Sequence, residues 1–120
     1  MINNHERRIN RIKMQKFLGR RIRTGTPLNE SVGYFREGGS KCVIGCILPG
    51  NVLNDPKLVE LNSTVVEAKK FKDFLKRHGI QFESGLGYTE DELAILQDFH
   101  DTFEFEKCLK YLNSLPIEVK

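Results

Sequence analysis

The clearest structural signal in this chain lies in the sequence Thr89-Glu90-Asp91-Glu92-Leu93-Ala94-Ile95-Leu96-Gln97-Asp98-Phe99-His100. Thr89 and Glu92 have the spacing of a capping box, in which each side chain accepts a hydrogen bond from the backbone N–H of the other residue. The acids of the first turn also suit the positive end of a helix dipole. This sequence predicts a helix over about residues 90–100.

Similar signals predict helices on both sides of this one. Thr64 and Glu67 form a second capping box, which opens a helix over about residues 65–78, and Gly79 is the expected left-handed residue at its end. Apolar residues at positions 105, 108, 109 and 112 have helical spacing and predict a last helix that reaches about Ser114.

The first helix, over about residues 5–20, carries apolar residues on two sides. At about 100° per residue, Ile9 and Ile12 lie on one side, and Met14, Phe17 and Leu18 lie on another. We expect one side to pack in the core. The other side contacts a partner or a symmetry mate, or the helix is wedged between elements of its own chain.

The stretch 32–48 carries two competing signals. Gly38-Gly39 between two apolar runs is a hairpin signal, whereas the run from Cys42 to Leu48 fits either a strand or a buried helix. We therefore predict a mainly α (α+β) fold, with four or so helices around one core and at most a small β-hairpin near residues 33–46. The predicted unit is a single domain over 1–120, with a basic N-terminal helix at 5–20 and a core at 32–115.

Composition supports one folded unit. The chain has 120 residues, of which 39% are hydrophobic, and it contains no run near the roughly 18 apolar residues of a membrane span. No apolar signal region follows the charges at the start, and three cysteines cannot all pair within one chain. These features predict a cytoplasmic protein with free thiols and no membrane association.

Charge is unevenly distributed. Residues 1–23 contain eight Lys and Arg against Glu6 alone, a local charge of +7, whereas residues 83–106 contain eight acids and no Lys or Arg, a local charge of −8. The basic end is a candidate binding surface for phosphate or carboxylate groups, and the alternative is that the two segments neutralise each other. The candidate binding residues are Arg7, Arg8, Arg11, Lys16, Arg20 and Arg21.

The cysteines allow two kinds of chemistry, neither with a specific motif. Cys42 or Cys46 could act as a nucleophile with His100 as its base, or the two cysteines could bind zinc with ligands from elsewhere in the chain. Both thiols lie in an apolar run and His100 shares a helical face with Leu93 and Leu96, so packing explains all three residues. We predict no metal site, and no nucleotide motif indicates a cofactor.

One resemblance to known proteins rests on two motifs. Lys41-Cys42-Val43-Ile44-Gly45-Cys46-Ile47-Leu48-Pro49 is followed by Leu96-Gln97-Asp98-Phe99-His100-Asp101. Together they resemble small uncharacterised proteins of phages and mobile elements, which carry Cys-Ala-Ile-Gly-Cys/Ala-Leu-Ile-Pro and then Leu-Gln-x-x-His-Asp. The resemblance covers about the last two-thirds of the chain, with Val43 in place of the usual Ala. It implies a phage or plasmid origin and a close approach of Cys42, Gly45 and His100, and it transfers no catalytic residue.

We therefore expect a small non-catalytic binding protein of phage or mobile-element type. It would dock on a protein, or on a protein–nucleic-acid complex, with an acidic surface, and it could inhibit a host defence or regulatory complex. The alternatives are a cysteine-dependent enzyme that uses Cys42 or Cys46 with His100, and direct nucleic-acid binding through the Arg-rich first helix. The sequence leaves a homodimer open.

Overall fold

The computed structural model describes residues 1–24, 43–57 and 68–120. The mainly α class is confirmed. In chain order the helices are α1 (Asn4–Thr24), a 3-10 helix (Gly45–Ile47), α2 (Gly50–Leu53), α3 (Ala68–Arg77), a π-helical turn (Phe82–Leu86), α4 (Glu90–Asp101) and α5 (Phe105–Ser114). Within these described residues, no helix is long and apolar enough to cross a membrane.

Local capping determines where α4 begins. The Glu92 backbone N–H donates to Thr89 Oγ1 at 3.1 Å, and the Thr89 backbone N–H donates to Glu92 Oε1 at 2.9 Å. The predicted capping box is therefore confirmed. Gly79 has a φ of 76°, as expected for a left-handed residue after α3, whereas Thr64 and Glu67 lie outside the described residues.

Helix α1 is the centre of the packing. It contacts α5, the 3-10 helix and the π-helical turn, and α5 in turn packs against α4. Met14 and Leu18 of α1 are fully buried, while Ile9 and Ile12 are 36% and 52% exposed. The core that receives α1 also contains Val43, Ile44, Val52, Phe71, Phe74, Leu75, Leu86, Tyr88, Leu96, Cys108 and Leu112.

The region of the predicted hairpin is only partly described. Most of 33–46 lies outside the described residues; Val43 and Ile44 form a turn, and Gly45 and Cys46 are the first two residues of the 3-10 helix. The run from Cys42 to Leu48 was expected to be a strand or a buried helix. From Val43 onward it is a turn and a single 3-10 helix instead, with Val43, Ile44 and Ile47 buried. These short apolar side chains reach the core without a regular α-helix or strand.

Candidate functional site

Arg7 is the first candidate binding residue, and it lies in the core. Its side chain is 0% exposed. Nη1 and Nη2 donate to the two carboxylate oxygens of Glu92 at 2.9 and 2.8 Å, while Nε donates to the Pro116 carbonyl and Nη1 to the Gly87 carbonyl, each at 2.9 Å. The guanidinium carbon lies 4.5 Å from the centroid of the Tyr88 ring. Arg7 therefore does not belong to a docking surface, contrary to what the sequence had predicted, because its guanidinium is buried and donates four hydrogen bonds within the fold.

Arg7 and Glu92 are both charged. Burial alone would raise the pKa of Glu92, but hydrogen bonds from Arg7 and Thr89 outweigh it and leave that pKa below its ordinary value. The hydrogen bond with Glu92 likewise raises the pKa of Arg7, against the opposing effect of desolvation. Removing one partner of such a pair typically costs about 3–5 kcal/mol, because the other charge is left buried and uncompensated.

The π-helical turn allows α1 to approach this closely. Gly87 follows the turn with a φ of 84°, and a Cβ built on it would lie 2.3 Å from the Arg7 backbone nitrogen. Asn10 Nδ2 also donates to the Leu86 carbonyl at 2.9 Å. The absence of a side chain at Gly87 is what lets the two backbones meet.

Two more of the candidate arginines contact the C-terminal end of the chain. Arg11 donates to the carbonyls of Leu115 and Asn113 at 2.7 and 2.9 Å, which satisfies carbonyl groups at and beyond the end of α5. Arg8 pairs with Glu118 at 2.5 Å on the surface. Arg11 therefore joins α1 to α5, whereas Arg8 stays at the surface.

The remaining candidates lie along the rest of α1. Lys16 and Arg20 are exposed. Arg21 is half-buried, with its guanidinium carbon 5.2 Å from the centroid of the Phe17 ring. The structure therefore separates the six predicted residues into core, supporting and surface positions.

One side of α1 combines apolar and basic exposure, and we call it the basic face. Ile9 and Ile12 lie at its centre. Its cations, all exposed, are Arg8, Lys13, Lys16, Arg20 and Arg23. Lys13 and Arg23 are absent from the predicted set, although their helical positions on the side of Ile9 and Ile12 could have identified them.

The proposed catalytic histidine is enclosed. His100 is 1% exposed, and its ring lies between those of Phe17 and Phe105, with centroid distances of 5.9 and 5.4 Å. A substrate from solvent has no open approach to this imidazole. His100 acts as a core side chain in the described part of the fold.

The described thiols are also held by the fold. Cys46 is half-buried and its Sγ donates to the Val43 carbonyl at 2.9 Å, while Cys108 is fully buried and donates to the Leu96 carbonyl at 3.5 Å. Burial raises the pKa of Cys108 to about 12, so this thiol stays protonated near neutral pH. Cys42 lies outside the described residues. Among the residues that are described, no three His, Cys, Asp or Glu side chains are arranged to hold a metal ion.

No protein family model, curated protein or solved structure matches this chain.

Proposed function

We propose that the protein is a non-catalytic binding protein whose basic face docks on an acidic surface of a larger protein. The observation that carries this proposal is the placement of Ile9 and Ile12. They are 36% and 52% exposed on the side of α1 opposite the buried Met14 and Leu18. The two side chains thus leave apolar surface in contact with water among the cations of the basic face.

The surroundings of the two isoleucines fit a protein interface. Interfaces commonly combine an apolar centre, which loses water on binding, with a polar rim that steers association. Ile9 and Ile12 would form that centre. Lys13, Lys16 and Arg23 would give the rim an excess of positive charge, even though Arg8 beside them pairs with Glu118, so the complementary surface on the partner is acidic.

A protein partner accounts for this face better than nucleic acid does. Phosphate contacts come from cations and N–H donors, and single-stranded bases stack on aromatic rings. Ile9 and Ile12 supply neither contact. Arg7 and Arg11, two of the six predicted phosphate-binding candidates, are also engaged with groups of the chain itself.

A binding role is also favoured over the cysteine-dependent enzyme. The enzyme hypothesis needs His100 within reach of both a thiol and a substrate. His100 is instead enclosed by aromatic rings and is 1% exposed. If the resemblance to phage and mobile-element proteins reflects common origin, the partner would belong to a host defence or regulatory complex, and docking would inhibit it.

The test compares two charge reversals of equal size. Lys13→Glu/Lys16→Glu changes the basic face, whereas Lys57→Glu/Lys110→Glu changes two exposed lysines outside α1. Each tagged variant is used for affinity capture from a nuclease-treated lysate of the cells in which the protein occurs, followed by mass spectrometry. We expect one stoichiometric protein to be retained by the wild type and the control pair and lost by the basic-face pair.

A third variant tests the apolar centre. Ile12→Ser removes a half-exposed isoleucine without changing charge, so it should weaken capture of the same protein and leave the salt dependence of association unchanged. Retention of the same proteins by all variants would contradict the proposal. The wild type is also used for capture from untreated lysate, and binding seen only without nuclease would favour nucleic acid as the partner.

A further inference from the structure

One side of α1 holds the segment 113–119. Asn4, Arg7, Arg8 and Arg11 have the spacing i, i+3, i+4 and i+7, which places them together on one side of a helix. We call these four residues the α1 stripe. Each of them donates a hydrogen bond to a group within the segment, which therefore lies along α1.

Most contacts of the α1 stripe reach main-chain groups. Asn4 Nδ2 donates to the Val119 carbonyl at 3.0 Å, and the Val119 backbone N–H donates to Asn4 Oδ1 at 2.9 Å. One carboxamide thus pairs with both polar groups of one residue, as an edge strand does when it binds an extended peptide. The contact of the stripe that depends on a side chain is the pair between Arg8 and Glu118. The stripe therefore fits an extended polypeptide with a carboxylate directly before the residue that Asn4 holds.

Residues 117–120, which we call the terminal segment, are held weakly. Among the described residues, their hydrogen bonds and ion pairs are the two with Asn4 and the one with Arg8. The Arg8 and Glu118 side chains are 45% and 61% exposed, and exposed pairs contribute little to stability. Ile117 is 58% exposed, so burial of its side chain adds little. The terminal segment can therefore leave α1 at a small cost in free energy.

The terminal segment also blocks part of the basic face. Arg8 is one of the cations of that face, and Glu118 already pairs with it. A carboxylate of a partner can reach the same position only where Glu118 has left. This departure needs no unfolding, because the preceding Pro116 carbonyl is bonded separately to the buried Arg7.

We propose that the terminal segment occupies Asn4 and Arg8 only until the partner docks, and that an extended acidic segment of the partner then takes its place. The partner is the one that the basic face binds, so this proposal rests on the proposed function. The occupant is a polypeptide because the Asn4 carboxamide pairs with adjacent N–H and C=O groups, and it is acidic because Arg8 pairs with a carboxylate. The terminal segment is thus an internal competitor that lowers the affinity for the partner.

The first test titrates the whole ¹⁵N-labelled protein with the end-blocked peptide Leu-Pro-Ile-Glu-Val-Lys, the sequence of residues 115–120, and follows the Asn4 side-chain amide by NMR. Val119→Pro removes the N–H that Asn4 accepts, whereas Val119→Ala keeps both main-chain groups. Loss of one such hydrogen bond weakens docking of the terminal segment by about two- to ten-fold. The free peptide should therefore bind Val119→Pro about two- to ten-fold more tightly than Val119→Ala.

Two controls test recognition of the carboxylate. The Glu118→Lys version of the peptide should not bind, and Arg8→Glu combined with Val119→Pro should abolish binding of the original peptide. A tethered segment has an effective concentration in the millimolar range, so a site that holds it must also bind free peptide at about 10 mM. An unchanged Asn4 signal in Val119→Pro at that concentration would overturn the proposal. So would a wild type that dimerises while Val119→Pro does not, because the occupant would then be the terminal segment of a second copy.

Capture from lysate separates this proposal from the proposed function. Val119→Pro should retain more of the protein that the wild type captures than Val119→Ala does, and excess peptide should release that protein. Equal retention by both variants, without release by the peptide, would overturn the role of the terminal segment and leave docking of the basic face standing. If no protein is captured, the proposed function fails, while the titration still shows whether Asn4 and Arg8 hold an acidic segment.

Discussion

Replacing Gly87 by alanine tests the close contact between α1 and the π-helical turn. Gly87 has a φ of 84°, and the new Cβ would lie 2.3 Å from the Arg7 backbone nitrogen and 2.5 Å from its Cα. The left-handed backbone costs an L-residue about 1–2 kcal/mol. Contacts below 3 Å with backbone atoms force α1 to move, and overpacking of this kind costs about 1–3 kcal/mol more. We therefore expect Gly87→Ala to lower the free energy of unfolding by about 2–5 kcal/mol.

Two other glycines separate these contributions. Gly79 has a φ of 76° with nothing within 4 Å of a built Cβ, so Gly79→Ala should lose only the backbone contribution, about 1–2 kcal/mol. Gly50, in α2, has no positive φ and nothing within 4 Å, so Gly50→Ala should be neutral or stabilise by up to about 1 kcal/mol.

The assay is urea unfolding followed by far-ultraviolet circular dichroism, with the midpoint and slope fitted for each variant. The order of stability should be Gly50→Ala, then Gly79→Ala, then Gly87→Ala. A Gly87→Ala protein within about 0.5 kcal/mol of Gly79→Ala would refute the close backbone contact, because only the clash with Arg7 distinguishes the two sites.

Two further perturbations test the core. Glu92→Gln leaves the Arg7 charge uncompensated and should destabilise the fold by about 3 kcal/mol near neutral pH, whereas Glu118→Gln, which alters a surface pair, should change stability by less than about 1 kcal/mol. Because the folded-state pKa of Glu92 lies below its ordinary value of 4.5, the stability that its charge supplies is present above that pH. This stability is lost as the pH falls through the folded-state pKa of Glu92. Urea titrations at several pH values should therefore show the free energies of unfolding of wild type and Glu92→Gln becoming more similar as the pH falls. A difference in free energy that does not change with pH would contradict a stabilising charge on Glu92. In a Cys42→Ser/Cys46→Ser variant, Cys108 is the only thiol left. It is fully buried with a pKa of about 12, so it should react with a thiol reagent near neutral pH only as fast as the protein unfolds. Rapid labelling of the folded protein would instead show that Cys108 is accessible.

The helix boundaries that could be predicted are those determined by local interactions. The capping box of α4 involves two residues that are three positions apart, and Gly79 ends α3 through its own backbone conformation. The predicted last helix likewise agrees with α5, which spans Phe105–Ser114. The stretch 43–48 could not be assigned, because no local cap or periodicity distinguishes a 3-10 helix from a short strand.

The candidate site was predictable only in part. Helical periodicity alone placed Ile9 and Ile12 away from Met14 and Leu18, and the structure shows that the first pair is exposed and the second buried. The same periodicity puts Arg7 on the side of Met14 and Leu18, but the sequence does not show that Glu92 and two carbonyl groups would meet its guanidinium there.

The sequence by itself determined the helical class, the ends of several helices and the two-sided character of α1, because capping and periodicity act within a few residues. Only the tertiary structure decided that the charge of Arg7 could be buried. Arg7 is buried because its partners, Glu92 and the Gly87 and Pro116 carbonyls, lie 80 to 109 residues away in the chain. A buried charge is tolerated only where such partners converge, and that convergence exists only once α1, α4 and the C-terminal segment have packed together.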